Sequence, residues 1–356
     1  MIKNKLPQWY VHPDLVFPSS LAYRQASSQA TACYKQSFLL QGARVIDCTG
    51  GLGVDSAAFA SKASKVVYIE QNESLCQAAA HNFNLLGLPN IEILHGNCID
   101  LLPAMTPADM IYIDPSRRST AGRQLLALSD YEPDILSIKE MLLQKAPKVL
   151  VKIAPMADIR QSLRLLPETA EVHVLSLHNE CKELLFLLKR PQANPIPAED
   201  VPINCVHINT MGEESVFAFT LSEEKAALPP LVERLTLGYL YEPNPSLLKA
   251  GAFKLIATAY GLHKLHPHTH LYYAPDLQKS FPGRIFLIQK VLDFNKQTIK
   301  NLRLTTPCAN IAVRNFCMEA TALQKRLKIK DGGDVYLFGV RLSDQNYALI
   351  VAAKEN

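Results

Sequence analysis

Val45-Ile46-Asp47-Cys48-Thr49-Gly50-Gly51-Leu52-Gly53-Val54-Asp55 is the stretch on which the reading of the fold turns. The apolar run Ala43–Cys48 just before and within it has the length and composition of a strand buried on both faces of a parallel sheet. Gly50, Gly51 and Gly53 allow a tight turn and a close approach of backbone to a ligand. Asp55 falls in the first turn of the following helix, where the macrodipole favours a carboxylate. Strand, glycine turn and helix in direct succession predict a ligand site beyond the carboxyl end of that strand.

Strands and helices alternate from there. Expected strands are Ala43–Cys48, Lys65–Ile69, Ile91–Leu94, Ala108–Ile113, Lys148–Ile153, Glu171–Leu177 and Glu183–Leu188. Helices are expected near Val54–Ser61, Glu73–Leu86 and Asp134–Lys145. This order predicts an α/β domain with a parallel sheet covered on both faces. Three strand ends carry chemistry. Glu70 can accept both hydroxyls of a ribose or stand as a solvated charge, and Asn97, in Gly96-Asn97-Cys98, offers an adenine edge a donor and an acceptor. Asp114-Pro115-Ser116-Arg117-Arg118 is a loop fixed by its proline. A dinucleotide fingerprint G-x-G-x-x-G would begin at Gly51, but Ser56 stands at its last position, so a pyrophosphate cradle is only partly written.

The chain has 356 residues, long for one core, and 48% hydrophobic with 20% charged residues describes an ordinary globular protein. Met1–Tyr10 lacks an apolar run, and no stretch approaches the roughly 20 apolar residues of a membrane span, so neither a secretion leader nor a membrane partner is expected. Eight cysteines without a C-x-x-C pair point to a reducing, cytoplasmic setting and against a cysteine zinc site. His263, His266, His268 and His270 gather in one segment, interrupted by Pro267 and with no acid or cysteine nearby; it is read as a polar connector, and no metal is expected.

Four segments are expected. Residues 1–40 form a helical preface, capped near Pro18-Ser19-Ser20, that covers a sheet edge or contacts a ligand directly; 41–228 form the sheet domain, ending in a hairpin of Cys205–Asn209 and Val216–Leu221 before Pro229-Pro230. Residues 229–283 show helical patterns at Leu231–Leu240 and Ser246–Tyr260. Residues 284–356 form a smaller α+β domain, with strands near Arg284–Val291, Asn301–Leu304, Asp334–Val340 and Tyr347–Val351 and a helix at Met318–Leu327. Net charge is +4 overall, yet Lys296–Lys330 alone carries eight basic residues and one acid, Glu319. Such a patch is either a solvated helix face or the footprint of a phosphate-backbone binder, with Arg303, Arg314, Lys325, Arg326, Lys328 and Lys330 as candidate RNA contacts.

Taken as a set, Asp47–Gly53, Glu70, Gly96-Asn97-Cys98 and Asp114-Pro115-Ser116 resemble the successive motifs of class I S-adenosylmethionine-dependent methyltransferases. The resemblance implies a Rossmann-like seven-stranded sheet whose last strand is antiparallel. It places Asp47 and the Gly50–Gly53 backbone at the methionine end of the donor, Glu70 at its ribose and Asn97 at its adenine, with Asp55 and Cys98 as further cofactor-binding candidates. Asp114–Arg117 resembles the D/N-P-P-aromatic motif of enzymes that methylate exocyclic base amines, with Ser116 for the second proline and Arg117 where an aromatic ring stacks. Asp114 and a backbone carbonyl would accept the two N–H bonds of the amine; Arg117 would stack on the base or form a structural ion pair. Uracil-C5 methyltransferases share the Asp-Pro-x-Arg string, but their cysteine before a proline after strand five is absent from Ile153-Ala154-Pro155, which disfavours covalent ring chemistry.

The two-part layout is similar to bacterial methyltransferases with a THUMP-like carboxyl-terminal domain, and since THUMP domains bind RNA, the resemblance implies a tRNA or rRNA substrate. The leading expectation is thus an RNA N-methyltransferase using S-adenosylmethionine. A methyltransferase for a small molecule or protein, and an RNA-binding protein that has lost activity, remain open.

Overall fold

A computed structural model describes residues 2–117, 128, 131–190, 195–342 and 346–355. The chain divides into two compact units, Met1–Glu214 and Ser215–Asn356, so Pro229-Pro230 lies inside the second unit and not at its border.

In the first unit the strands are β1 (Arg44–Asp47), β2 (Lys65–Glu70), β3 (Ile91–His95), β4 (Met110–Ile113), β5 (Lys148–Ile153), β6 (Thr169–Leu177), β7 (Glu180–Lys189) and β8 (Ile203–Ile208). Their spatial order is β8-β6-β7-β5-β4-β1-β2-β3. From β3 through β5 all pairings are parallel. β7 runs antiparallel to both β5 and β6, as expected of the seventh strand, and β8 adds an eighth, parallel to β6. Every residue of β4 is buried, which explains why its sequence is apolar without alternation. The strand order reverses between β1 and β4, and a crevice opens there beyond the strands' carboxyl ends.

The amino-terminal segment is helical in short pieces: Ile2–Lys5, Pro7–Tyr10, Ser20–Gln25 and Gln29–Lys35. Ser19 and Ser28 cap the last two with their side chains. Leu6, Trp9 and Leu15 bury themselves with Leu52 and Val54, so this segment sits on the glycine turn itself. Asn82 pins it further, accepting the Val16 N–H at 2.8 Å and donating to the Val16 carbonyl at 2.9 Å.

The second unit holds β9 (Tyr239–Pro243), β10 (His263–His266), β11 (Thr269–Ala274), β12 (Gly283–Asp293), β13 (Asn310–Arg314), β14 (Val335–Arg341) and β15 (Tyr347–Lys354), in the order β10-β11-β9-β12-β15-β14-β13. Only β13 and β14 are parallel to each other. Alternation along the strands builds two cores. Leu337, Leu349 and Val351 face Ile299, Leu302, Leu323 and Leu327 of the helices Lys296–Thr305 and Ala320–Leu327, whereas Phe338, Ile350 and Ala352 join Leu240 and Phe286.

Several expectations for this half are corrected. Leu231–Leu240 is not a helix: Val232 N–H donates to the Lys264 carbonyl at 2.9 Å, and Gly238 enters β9 at φ +148°, so the apolar residues reach the core from extended chain. Ser246–Tyr260 is two helices, Pro245–Ala250 and Leu255–Ala259, divided by Gly251 in the left-handed region at φ +83°. The buried Glu224 then caps the second, accepting the Lys254 N–H at 2.8 Å and the Leu255 N–H at 2.9 Å. The histidine segment is the hairpin of β10 and β11, not a connector. Asn301–Leu304 belongs to a helix, begun by the Asn295 side chain accepting the Thr298 N–H at 2.9 Å.

A strand there would place Leu302 and Leu304 on one face, but the helix buries Leu302 to 4% exposure and leaves Leu304 at 78%. Chemical denaturation should therefore show Leu302→Ala losing about 2–4 kcal/mol and Leu304→Ala within about 0.5 kcal/mol of the parent; equal losses would refute the helix.

Candidate active site

The carboxyl ends of β1, β2, β4 and β5 surround a cavity of about 690 Å³. Its floor is the glycine turn. Gly50 donates its N–H to the Ile69 carbonyl at 2.8 Å, and a Cβ on Gly50 would stand 2.2 Å from the Tyr68 ring. Tyr68 in turn donates its hydroxyl to the Gly51 carbonyl at 2.6 Å. Gly53 sits at φ +84° with a would-be Cβ 2.6 Å from the Phe83 ring. Packing behind the turn thus demands two of the glycines, and backbone conformation, φ +56°, demands Gly51.

Glu70, at the end of β2, accepts the Gly51 N–H through Oε2 and the Asn72 N–H through Oε1, both at 2.8 Å. A carboxylate has about four lone-pair sites, so two remain beyond these bonds, and Glu70 borders the cavity. Asp47 is fully buried; it accepts the Ser56 hydroxyl at 2.6 Å and the Thr49 N–H at 3.1 Å. Burial pushes its carboxyl up to about 7, against the pull of the Ser56 hydrogen bond. Ser56, the residue that breaks the dinucleotide fingerprint, is therefore what holds Asp47. Asn97 accepts the Ile99 N–H at 2.9 Å and caps the Cys98–Leu101 helix, while Cys98 is buried against the Cys48 thiol. Gly50, Gly51, Gly53, Asp55 and Glu70 border the cavity; Asp47, Asn97 and Cys98 do not.

Asp55 is engaged elsewhere than its place at a helix start suggested. Lys35 reaches it at 2.8 Å, Ser27 donates to it at 2.7 Å and Tyr112 at 3.0 Å. Burial opposes its charge, but Lys35 and Lys152 outweigh burial and hold its carboxyl below the ordinary value. The Lys35 side chain is wholly buried and also meets Glu183 at 3.0 Å. For Glu183 burial wins, and its carboxyl is pushed up. Lys152, on β5, pairs with Asp114 and approaches the Ser27 hydroxyl at 3.4 Å. Burial would discharge Lys152, yet Asp114, Glu183 and Asp55 keep it above its ordinary value. Two lysines and three carboxylates from five parts of the chain so form one connected group.

Asp114 hangs from this group on one side and from β1 on the other, where its N–H donates to Thr49 Oγ1 at 2.7 Å. Pro115 is buried, Ser116 is exposed, and Ser116–Arg117 pairs with Tyr131–Glu132 as a short antiparallel ladder. The side chain of Arg117 and the whole of Arg118 lie outside the described residues. Tyr131 borders the cavity and is paired with Arg117 across this ladder, an aromatic residue that the motif lacks in sequence. Sequence reasoning missed Ser27, Lys35, Lys152 and Glu183; the one local signal was Lys152, a charge inside the apolar run Val149-Leu150-Val151-Lys152-Ile153.

In the second unit Arg314 is ion-paired with the buried Glu242, which also receives Arg284 at 2.7 Å, so Arg314 leaves the candidate RNA surface. Arg303 donates to the Arg326 carbonyl at 2.5 Å and Arg326 lies over the Phe294 ring at 5.1 Å; both stay exposed, as do Lys325, Lys328 and Lys330. Among the described residues no group of three or more His, Cys, Asp or Glu is placed to hold a metal, and no helix is long and apolar enough to cross a membrane.

Lys35→Ala leaves Asp55 and Glu183 buried without their cation and should cost about 3–5 kcal/mol in urea denaturation; a loss below about 1 kcal/mol would show the pairing to be dispensable. Asp47 keeps its proton in the folded state up to about 7, against 3.8 when free, so its contribution to stability is present below about pH 4 and is lost as pH rises toward 7. Asp47→Asn should gain on the parent protein between pH 4 and pH 8 by about 1 kcal/mol or more, and a constant difference would contradict the burial argument.

Residues 10–122 match the family model of protein-L-isoaspartate(D-aspartate) O-methyltransferase, residues 239–282 that of a ferredoxin-like domain, and residues 283–354 that of a THUMP domain-like module. The crystal structure named "putative methyltransferase from Porphyromonas gingivalis W83" is 38% identical, with a TM-score of 0.92, over 100% of this chain and 88% of that one. TrmN from Thermus thermophilus aligns at 19% identity and TM-score 0.36 over 47% of this chain and 51% of that one. An rRNA methylase from Streptococcus thermophilus aligns at 17% and 0.35 over 46% and 96%. No protein of curated function matches. Over its full length the chain belongs to the family of the Porphyromonas gingivalis protein: methyltransferases with a Rossmann-like domain and a THUMP-like carboxyl-terminal domain.

Proposed function

We propose that the protein transfers a methyl group from S-adenosylmethionine to a base nitrogen of structured RNA, tRNA or rRNA, with Asp114 orienting the acceptor. The observation that carries this reading is the position of Asp114: it is anchored by Lys152 and by Thr49 at the rim of a cavity whose floor is the glycine turn and whose side is Glu70. The residues fit the donor. Gly51 and Gly53 give a close backbone surface for its methionine end, and the two unused lone-pair sites of Glu70 suit a pair of ribose hydroxyls. When bound, the donor supplies an electrophilic methyl carbon on a sulfonium sulfur. Asp114 accepts an N–H bond of the acceptor amine and aims the nitrogen lone pair; positioning of this kind can supply several kcal/mol of the barrier without a strong general base. Tyr131, paired with Arg117 across the short ladder and bordering the cavity, suits the base-stacking role that an aromatic fills in the motif.

RNA is favoured by the match of residues 283–354 to a THUMP-like module and by Arg303, Lys325, Arg326, Lys328 and Lys330, exposed on and beside two helices packed on one sheet face. A protein acceptor is the second reading, favoured by the match of residues 10–122 to a protein O-methyltransferase model.

Calorimetry should show S-adenosylhomocysteine binding to the intact chain and weakening at least about tenfold in Glu70→Ala. Labelled methyl groups should pass to RNA from cells lacking this protein, with a loss of about a hundredfold or more in Asp114→Ala; transfer to isoaspartyl peptides and not to RNA would establish the second reading.

A further inference from the structure

A second cavity, of about 770 Å³, adjoins the first on the β6–β7 side of the same unit. Gln25, Ala26, Ser27, Lys152 and Lys182 border both, so Lys152 is reached from either side while its partner Asp114 borders the donor side. Both cavities therefore meet at one ion pair. The size is that of a small-ligand site, whose usual range is about 300–1,000 Å³.

Its chemistry is cationic. Lys5, Arg24, Lys152 and Lys182 border it with one acid, Glu183, which already faces Lys35. Lys182 shares its charge with Glu180 at the exposed rim. Lys5 donates to the carbonyls of Tyr23 at 2.7 Å and Arg24 at 3.0 Å, which fixes Arg24 on the rim. Burial, with Lys152 and Lys182 nearby, lowers the Lys5 ammonium to about 8. The β6–β7 reversal borders this cavity as well. Both its residues are left-handed, His178 at φ 51° and Asn179 at φ 60°, as a two-residue hairpin turn requires, and His178 lines the cavity.

We propose that this second cavity is the acceptor site and takes one nucleotide bearing an exocyclic amine, its phosphate near Arg24, Lys182 and His178 and its base reaching past Ser27 and Lys152 to Asp114. This assignment rests on the base-methylation reading above. It also narrows it. The occupant must present an anion to the cationic rim and the N–H of an exocyclic amine to Asp114, which adenine, cytosine and guanine nucleotides do. Uracil has no exocyclic amine, and a peptide carboxylate would meet Asp114 as a like charge.

The test uses the full chain saturated with S-adenosylhomocysteine and titrates AMP, CMP, GMP and UMP by calorimetry, with inorganic phosphate as competitor. At least one amine-bearing nucleotide should bind below about 1 mM, tighter than UMP, and about tenfold more weakly in the double variant Arg24→Glu/His178→Asp. Both positions are exposed and border only the second cavity, so the variant should bind S-adenosylhomocysteine like the parent, which also reports that it is folded. Nucleotide affinity unchanged in the variant, no binding up to about 10 mM, or displacement by an isoaspartyl peptide alone would overturn the assignment. A random-sequence RNA oligonucleotide forms the second arm. Mononucleotide binding without RNA binding would keep the cavity assignment and fail the RNA reading, and absence of S-adenosylhomocysteine binding by the parent would fail the methyltransferase reading by itself.

Discussion

The buried Lys35 ammonium is the constraint around which the first unit is arranged. An ammonium with no solvent exposure is tolerated only where carboxylates meet it, and Asp55 and Glu183 do so from a helix after β1 and from β7. Those two acids in turn lend their charge to Lys152, and Lys152 fixes Asp114. The proposed catalytic carboxylate is thus oriented by a chain of charges that starts in a segment outside the sheet. Such a network is poor as a source of stability, because desolvation offsets most of its Coulomb energy, yet removing one member leaves another charge buried and uncompensated.

The glycine turn obeys a different constraint. Gly50 is required by the Tyr68 ring and Gly53 by the Phe83 ring, so the surface offered to a ligand on one side is dictated by aromatic packing on the other. Tyr68 closes the arrangement with its hydroxyl on the Gly51 carbonyl. Ser56 belongs to the same economy of space: a hydroxyl beneath Asp47 gives the one fully buried carboxylate at this turn a donor that glycine could not supply.

What could be read in the sequence was whatever is local. The strand–turn–helix at Val45–Asp55, the acid ending β2 and the loop after β4 are each set by a few neighbouring residues, and the structure has all three at one cavity. Ser27, Lys35 and Glu183 were not legible, because a small-residue helix and a leucine-rich strand give no sign that their charges pair across the fold. Arg314 misled for the same reason: its partner Glu242 is 72 residues away, and charge counting within one segment cannot see it. The error at Asn301–Leu304 has another origin, since a short run with two leucines fits either period until the packing of Ile299 and Leu302 decides.

The dependence of Lys35 on Glu183 also orders events in time. During synthesis the amino-terminal segment leaves the ribosome first, yet its buried lysine has no complete set of partners until β7 has followed. Closing so long a loop carries an entropic cost that only the finished sheet repays. The wall shared by both cavities, built from Gln25, Ala26 and Ser27 a few residues before Lys35, then has its full set of charged neighbours only once β7 is laid down.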